Sequence, residues 1–173
     1  LLICSEKLHE QGVVKTRSIA TEACRRASNC NNFFDRIERK TGLIFETISI
    51  EEEARLAMIG CQSLLTENTP YALAFDIGGG STELIWSKRD QKNNYEIIDV
   101  LSLPFGVLTL SESWDTNIDF RECYKNMVAY IAEQILPFCN KNCIREKVHE
   151  GDVQMLGTSG TVTTLGAVHL NLP

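Results

Sequence analysis

The chain has 173 residues, 43% of them hydrophobic and 23% charged, with a net charge of −6. That is the composition of an ordinary globular protein with one domain or two small ones, and it excludes a disordered tail, a collagen-like repeat and a disulfide-dense miniprotein. Charge is uneven: residues 1–45 carry eight Lys/Arg and five Asp/Glu, a net +3, while residues 46–173 carry a net −9, so no broad basic surface is offered to nucleic acid.

No stretch approaches the roughly 18–20 uninterrupted apolar residues of a membrane helix. The N-terminus is apolar for only four residues before Ser5-Glu6-Lys7, which is too short for a secretory signal. It begins without Met, so the sequence is expected to start inside a longer chain. Cys4, Cys24, Cys30, Cys61, Cys123, Cys139 and Cys143 make an odd count with no Cys-x-x-Cys pair. Cys139 and Cys143 have only His149 nearby as a third ligand. Reduced thiols of a cytosolic protein fit this pattern better than a zinc site.

In chain order, residues 1–11 read as a helix stopped by Gly12, and 13–20 as a short strand. Thr21 is a candidate N-cap for a helix toward Ser28-Asn29. A second helix over 32–40 carries Phe33, Phe34 and Ile37 at core spacing, and 43–48 is a strand candidate. Ser49 with Glu52 has the capping-box spacing and opens a helix to about Leu65. Residues 66–70 break the chain and mark the expected boundary between domains 1–66 and 70–173.

Strands dominate beyond it. Residues 71–77 form a nearly continuous apolar run containing Asp76, as in a central buried strand. After Gly78-Gly79-Gly80, strands are expected over 82–87 and 95–103. An amphipathic helix over 120–138 places Phe120, Tyr124, Met127, Ile131, Ile135 and Phe138 on one stripe. A last strand over 153–157 leads through Gly157-Thr158-Ser159-Gly160-Thr161 into a helix from about Val162.

Chemistry concentrates in Asp76-Ile77-Gly78-Gly79-Gly80-Ser81-Thr82-Glu83. Three glycines let the backbone approach a ligand, and successive N–H groups in such a turn form an anion-binding nest. Asp76 and Glu83 are two carboxylates suited to a hydrated divalent cation, so the segment suits a phosphate chain chelating magnesium. A plain Gly-Gly hairpin turn is the competing reading, but it leaves three glycines and two acids unexplained. The spacing is neither a P-loop nor a dinucleotide fingerprint. Ser159, Gly160 and Thr161 stand at a helix start, where N–H groups also attract phosphate, though Ser and Gly are ordinary there. Glu51-Glu52-Glu53 are acids in a first helical turn, which the helix dipole favours without any catalytic role. Arg25 or Arg26 could clamp phosphate oxygens, and at least one must be solvent-exposed.

These segments, in this order, resemble the Ppx/GppA phosphatase family of exopolyphosphatases and guanosine pentaphosphate phosphohydrolases. Residues 20–29 are similar to its A-T-x-A-x-R-x-A-x-N stretch. Ile48-Ser49 with Glu52-Glu53-Ala54-Arg55-Leu56 is similar to I-S-G-x-E-E-A-R-L, with Ile50 at the glycine. Residues 76–84 match D-I-G-G-G-S-T-E-L, and Leu103-Pro104-Phe105-Gly106 and 157–161 match L-P-x-G and G-x-S-G-T.

The resemblance implies an α/β, ribonuclease-H-like fold of the actin, Hsp70 and sugar-kinase type, with part of a first lobe (1–66), most of a second (70–173) and the site in the cleft between lobes. It implies that Glu53 is the catalytic base and that Asp76 and Glu83 serve magnesium. Arg25, Gly78, Gly79, Gly80 and Ser81 would then bind phosphate, as would Ser159, Gly160 and Thr161. Nothing here resembles the family's first-lobe Asp-x-Gly-Ser-Asn-Ser loop or its C-terminal helical domains, so the chain is expected to be incomplete at both ends. The expected activity is magnesium-assisted hydrolysis of a terminal phosphate from polyphosphate or guanosine pentaphosphate by a cytoplasmic enzyme, with dimerisation a family-level expectation. An ATP-using kinase or ATPase of the same superfold, or a non-catalytic phosphate-binding module, is the alternative.

Overall fold

The structure is a computed structural model that describes residues 1–66, 69–114 and 119–172. The chain divides into two compact units, Leu1–Glu53 and Ala54–Pro173.

The first unit contains α1 (Leu2–Glu10), β1 (Ser18–Ala20), α2 (Glu22–Arg26), α3 (Cys30–Thr41) and β2 (Phe45–Thr47). β1 and β2 pair in parallel with Ser18 opposite Phe45, and α2 and α3 form the crossover that a parallel pair requires. Both strands are shorter than the expected 13–20 and 43–48. α3 ends at Gly42, whose φ of 71° supplies the left-handed cap that a side chain resists. Its buried face carries Cys30 and Ile37, and Phe34 stacks on Phe45 at 5.8 Å.

α4 (Ile50–Cys61) begins in the first unit and from Ala54 onward belongs to the second. Ser49 caps it, its hydroxyl oxygen accepting the Glu52 N–H at 3.2 Å. Ala54 and Met58 are buried against Ala72, Ala74 and Ile85. That burial is why the division falls at 53/54, whereas the break at 66–70 lies inside the second unit. Residues 67 and 68 of that break lie outside the described residues.

The second unit is built on a four-stranded sheet, β3 (Tyr71–Ile77), β4 (Thr82–Arg89), β5 (Tyr95–Leu103) and β6 (Val153–Thr158), ordered β5-β4-β3-β6. β3 is antiparallel to β4 and parallel to β6, and β4 is antiparallel to β5. Alternation sends Leu73, Leu84, Trp86 and Leu103 to one face, where Phe138 and Ile144 close the core. Trp86 is 2% exposed and stacks on Tyr71, so truncating it to Ala would cost about 3–5 kcal/mol. The other face carries Ala72, Ala74 and Ile85 beneath α4.

Helices α5 (Val107–Glu112), α6 (Phe120–Lys141), α7 (Ile144–His149) and α8 (Ser159–His169) complete this unit. α5 and α7 were not expected, because six residues are too few to show a helical period. In α6 only the second half of the stripe is buried. Ile131, Ile135 and Phe138 join the core, while Phe120 and Tyr124 are exposed. α8 starts at Ser159 rather than Val162, so Ser159, Gly160 and Thr161 are its first turn. Among the described residues no helix is long and apolar enough to cross a membrane. All seven cysteines are free thiols.

Candidate functional site

The residues singled out in the sequence fall into two clusters, one in each unit. In the second unit, β3 and β4 place Asp76 directly opposite Glu83, next to the turn that joins the strands. Asp76 follows Ala72 and Ala74 at intervals of two, and Glu83 precedes Ile85 likewise, so both carboxylates leave the sheet on the face that carries α4. Opposed Cβ atoms on neighbouring strands lie about 4.5–5.5 Å apart. The same row continues outward, with Ser102 opposite Glu83 and Thr158 opposite Asp76. Glu83 is only 3% exposed, and Ser102 Oγ donates to its Oε1 at 3.1 Å.

The turn itself is held on both sides. The Gly78 N–H donates to Ser81 O at 3.0 Å, closing it as a hairpin. The first turn of α5 then reaches over. Val107 N–H donates to Gly78 O at 3.0 Å, and Leu108 and Thr109 N–H donate to Gly79 O at 3.1 and 3.2 Å. A peptide group is planar, with C=O and N–H pointing opposite ways. Carbonyls turned toward α5 therefore turn the N–H groups of Gly79 and Gly80 away from it, and these donate to no backbone carbonyl among the described residues.

Gly106 makes this approach feasible. A Cβ there would lie 2.2 Å from Gly78 O and 2.6 Å from Gly79 C. Gly80, by contrast, has nothing within 4 Å of such a Cβ. Ser81 is buried. The Thr82 hydroxyl fixes the segment before α5 by donating to Phe105 O at 3.0 Å.

The start of α8 is tied to the same turn. Ser159 Oγ and Thr161 Oγ1 both donate to Ile77 O, at 2.9 and 3.3 Å. Their hydroxyl protons are therefore spent on the residue preceding Gly78. Ser159 holds φ of 77°, a left-handed conformation that costs a non-glycine residue about 1–2 kcal/mol. Gly157 is required by packing, since a Cβ would meet Phe75 and Val162 at 2.7 Å.

In the first unit, Arg25 is the hub. Its Nη1 donates to Glu53 Oε2 at 2.8 Å and to Ile48 O at 3.1 Å, and its Nε donates to Glu22 Oε2 at 3.1 Å. Burial alone would lower its pKa, but the hydrogen bonds it donates to Glu53 and Glu22 prevail and raise it. Nη2 is buried without a partner among the described residues. Arg26 is 61% exposed in its side chain and 4.0 Å from Glu22, the solvent-facing member of the pair. Glu51 is exposed, and hydrogen bonds from its own N–H and from the Ser49 hydroxyl lower its pKa, as expected of a capping acid.

Sequence reading missed Glu22, whose i,i+3 spacing to Arg25 was available as a signal, and Ser102, whose place depends on strand register. Among the described residues no group of three or more His, Cys, Asp and Glu is arranged to hold a metal ion. A pair of carboxylates still fits magnesium, which keeps several waters and takes one or two protein carboxylates plus substrate oxygens.

Comparison with known proteins decides the family. The model of the Ppx/GppA phosphatase family matches residues 1–170. The chain belongs to that family. An exopolyphosphatase from Cytophaga hutchinsonii superimposes with a TM-score of 0.79 at 30% identity, covering 96% of this chain and 51% of that one. The Aquifex aeolicus PPX-GPPA enzyme gives a TM-score of 0.70 at 30% identity, covering 97% and 51%. Retrograde regulation protein 2 of Saccharomyces cerevisiae is 33% identical over 138 residues, 75% of this chain and 22% of that protein. The chain thus spans about half the length of these solved relatives and about a fifth of the yeast protein. Its fold is that of the family, the actin-like α/β class.

Proposed function

We propose that the protein is a phosphohydrolase that releases terminal phosphate from inorganic polyphosphate, with guanosine pentaphosphate as the related substrate to compare. The carrying observation is the pair Asp76 and Glu83, opposed across β3 and β4 beside a glycine turn with outward N–H groups. The likeness to the exopolyphosphatase from Cytophaga hutchinsonii supports polyphosphate as the first substrate.

Magnesium held through Asp76 and Glu83 would offset charge on the phosphate oxygens. The N–H groups of Gly79 and Gly80, and those of the first turn of α8, would bind the anionic chain. Ser81, buried beside them, would keep the turn closed. Ser159 and Thr161 would act by fixing that first turn to Ile77, leaving Gly160 exposed toward a ligand. Arg25 would offer its remaining Nη2 edge to phosphate while holding Glu53 through Nη1.

Glu53 would accept a proton from water as the water oxygen attacks the terminal phosphorus. The P–O bond to the neighbouring phosphate then breaks, and the shortened chain leaves with the bridging oxygen. Such a reaction depends chiefly on positioning and electrostatics.

The test is phosphate release from polyphosphate, guanosine pentaphosphate and ATP, each with magnesium and with EDTA. Magnesium-dependent release from polyphosphate is expected. Turnover of ATP in preference to both other substrates would instead indicate an ATPase or kinase. Phosphate binding without turnover of any of them would indicate a non-catalytic module.

A further inference from the structure

The row across the sheet contains a group with no role so far. Ser102 on β5 lies opposite Glu83 on β4, which lies opposite Asp76 on β3. Its hydroxyl donates its single proton to Glu83 Oε1 at 3.1 Å. Glu83 is 3% exposed, so water cannot replace that donor freely. A carboxylate has several staggered rotamers, and two opposed carboxylates repel. A donor on the far side draws Glu83 along the row and fixes its plane.

We infer that Ser102 is a positioning residue that orients Glu83 for a divalent cation. The inference rests on the assignment of Asp76 and Glu83 as the cation-holding pair. Hydrogen-bond donors to ligating carboxylates fix ligand geometry, and removing such a partner typically weakens metal affinity about 10–100-fold. Ser102 touches neither substrate nor metal in this role. It acts through Glu83.

The test is direct binding of Mn2+, read by electron paramagnetic resonance on the 173-residue chain without substrate, with circular dichroism as the check of folding. The variants are Ser102→Ala, Ser102→Thr, Ser102→Val and Asp76→Asn. Ser102→Ala is expected to bind Mn2+ about tenfold or more weakly, and Ser102→Thr, which keeps the hydroxyl, to bind as wild type. Thr and Val are nearly the same size, so Ser102→Val should behave as Ser102→Ala, and this pair decides the matter if the alanine variant does not fold. Wild-type affinity in Ser102→Ala and Ser102→Val, with Asp76→Asn defective, would overturn the role of Ser102 and leave the carboxylate pair standing. Wild-type affinity in Asp76→Asn, or no Mn2+ binding by wild type, would overturn the carboxylate pair and the role of Ser102 with it.

Discussion

Asp76 and Glu83 face each other across adjacent antiparallel strands, two carboxylates in register on one face of a sheet. Like charges so placed destabilise a sheet by roughly 0.2–1 kcal/mol. Asp76→Asn should therefore raise stability by about that amount in EDTA. Added magnesium should stabilise wild type and not the variant, because only a bound ligand shifts the unfolding equilibrium. Urea unfolding with and without magnesium measures both effects.

The glycines separate structural from ligand roles. Gly106→Ala would drive a Cβ to 2.2 Å from Gly78 O. Overpacking of that kind costs about 1–3 kcal/mol, and the turn would shift with it. Gly80→Ala meets nothing within 4 Å, so its stability should stay within about 0.5 kcal/mol of wild type. Its added methyl stands on a turn proposed to touch phosphate. Phosphate binding should fall in both variants and thermal stability only in Gly106→Ala, as calorimetry would show.

Much of this was legible in the sequence. The nearly continuous apolar run over 71–77 predicted a buried strand, and β3 and β5 fall at the expected residues. Two kinds of feature were not legible. Short helices such as α5 and α7 carry too few residues for a period. Relations across strands or between segments, such as Ser102 on Glu83 or α5 on Gly78 and Gly79, depend on register and on backbone groups that every residue shares. The exposed first half of α6 has a different cause: apolar spacing gives a stripe but does not say what covers it.

Arg25 links Glu53 to Glu22 and Ile48 O in a mostly buried network. Charged hydrogen bonds contribute about 1.5–3 kcal/mol each when one partner is removed. Arg25→Met should destabilise the protein by about 2–4 kcal/mol, since several bonds are lost together and the carboxylates are left behind. Glu53→Gln keeps an acceptor for Arg25 and should cost less. Chemical denaturation of the two variants orders them.

Asp99 supplies a pH handle remote from the candidate site. Burial alone would raise its pKa, but hydrogen bonds from Lys141 Nζ at 2.8 Å and Asn142 Nδ2 at 2.7 Å prevail and lower it below the ordinary 3.8. A carboxyl with a lowered folded-state pKa adds stability that is present above the unfolded value and lost as pH falls through the folded one. Wild type should therefore lose stability below about pH 4 more steeply than Asp99→Asn. Thermal unfolding from pH 6 downward checks the difference in slope.

In the proposed mechanism Glu53 accepts the proton of an attacking water. The most direct measurement is phosphate release from polyphosphate by the protein and by its Glu53→Gln variant, with polyphosphate binding followed in parallel. Loss of a general base typically lowers turnover about 10²–10⁴-fold. A fall of that size is expected, with binding largely retained. Turnover at the wild-type rate in Glu53→Gln would contradict the proposed mechanism.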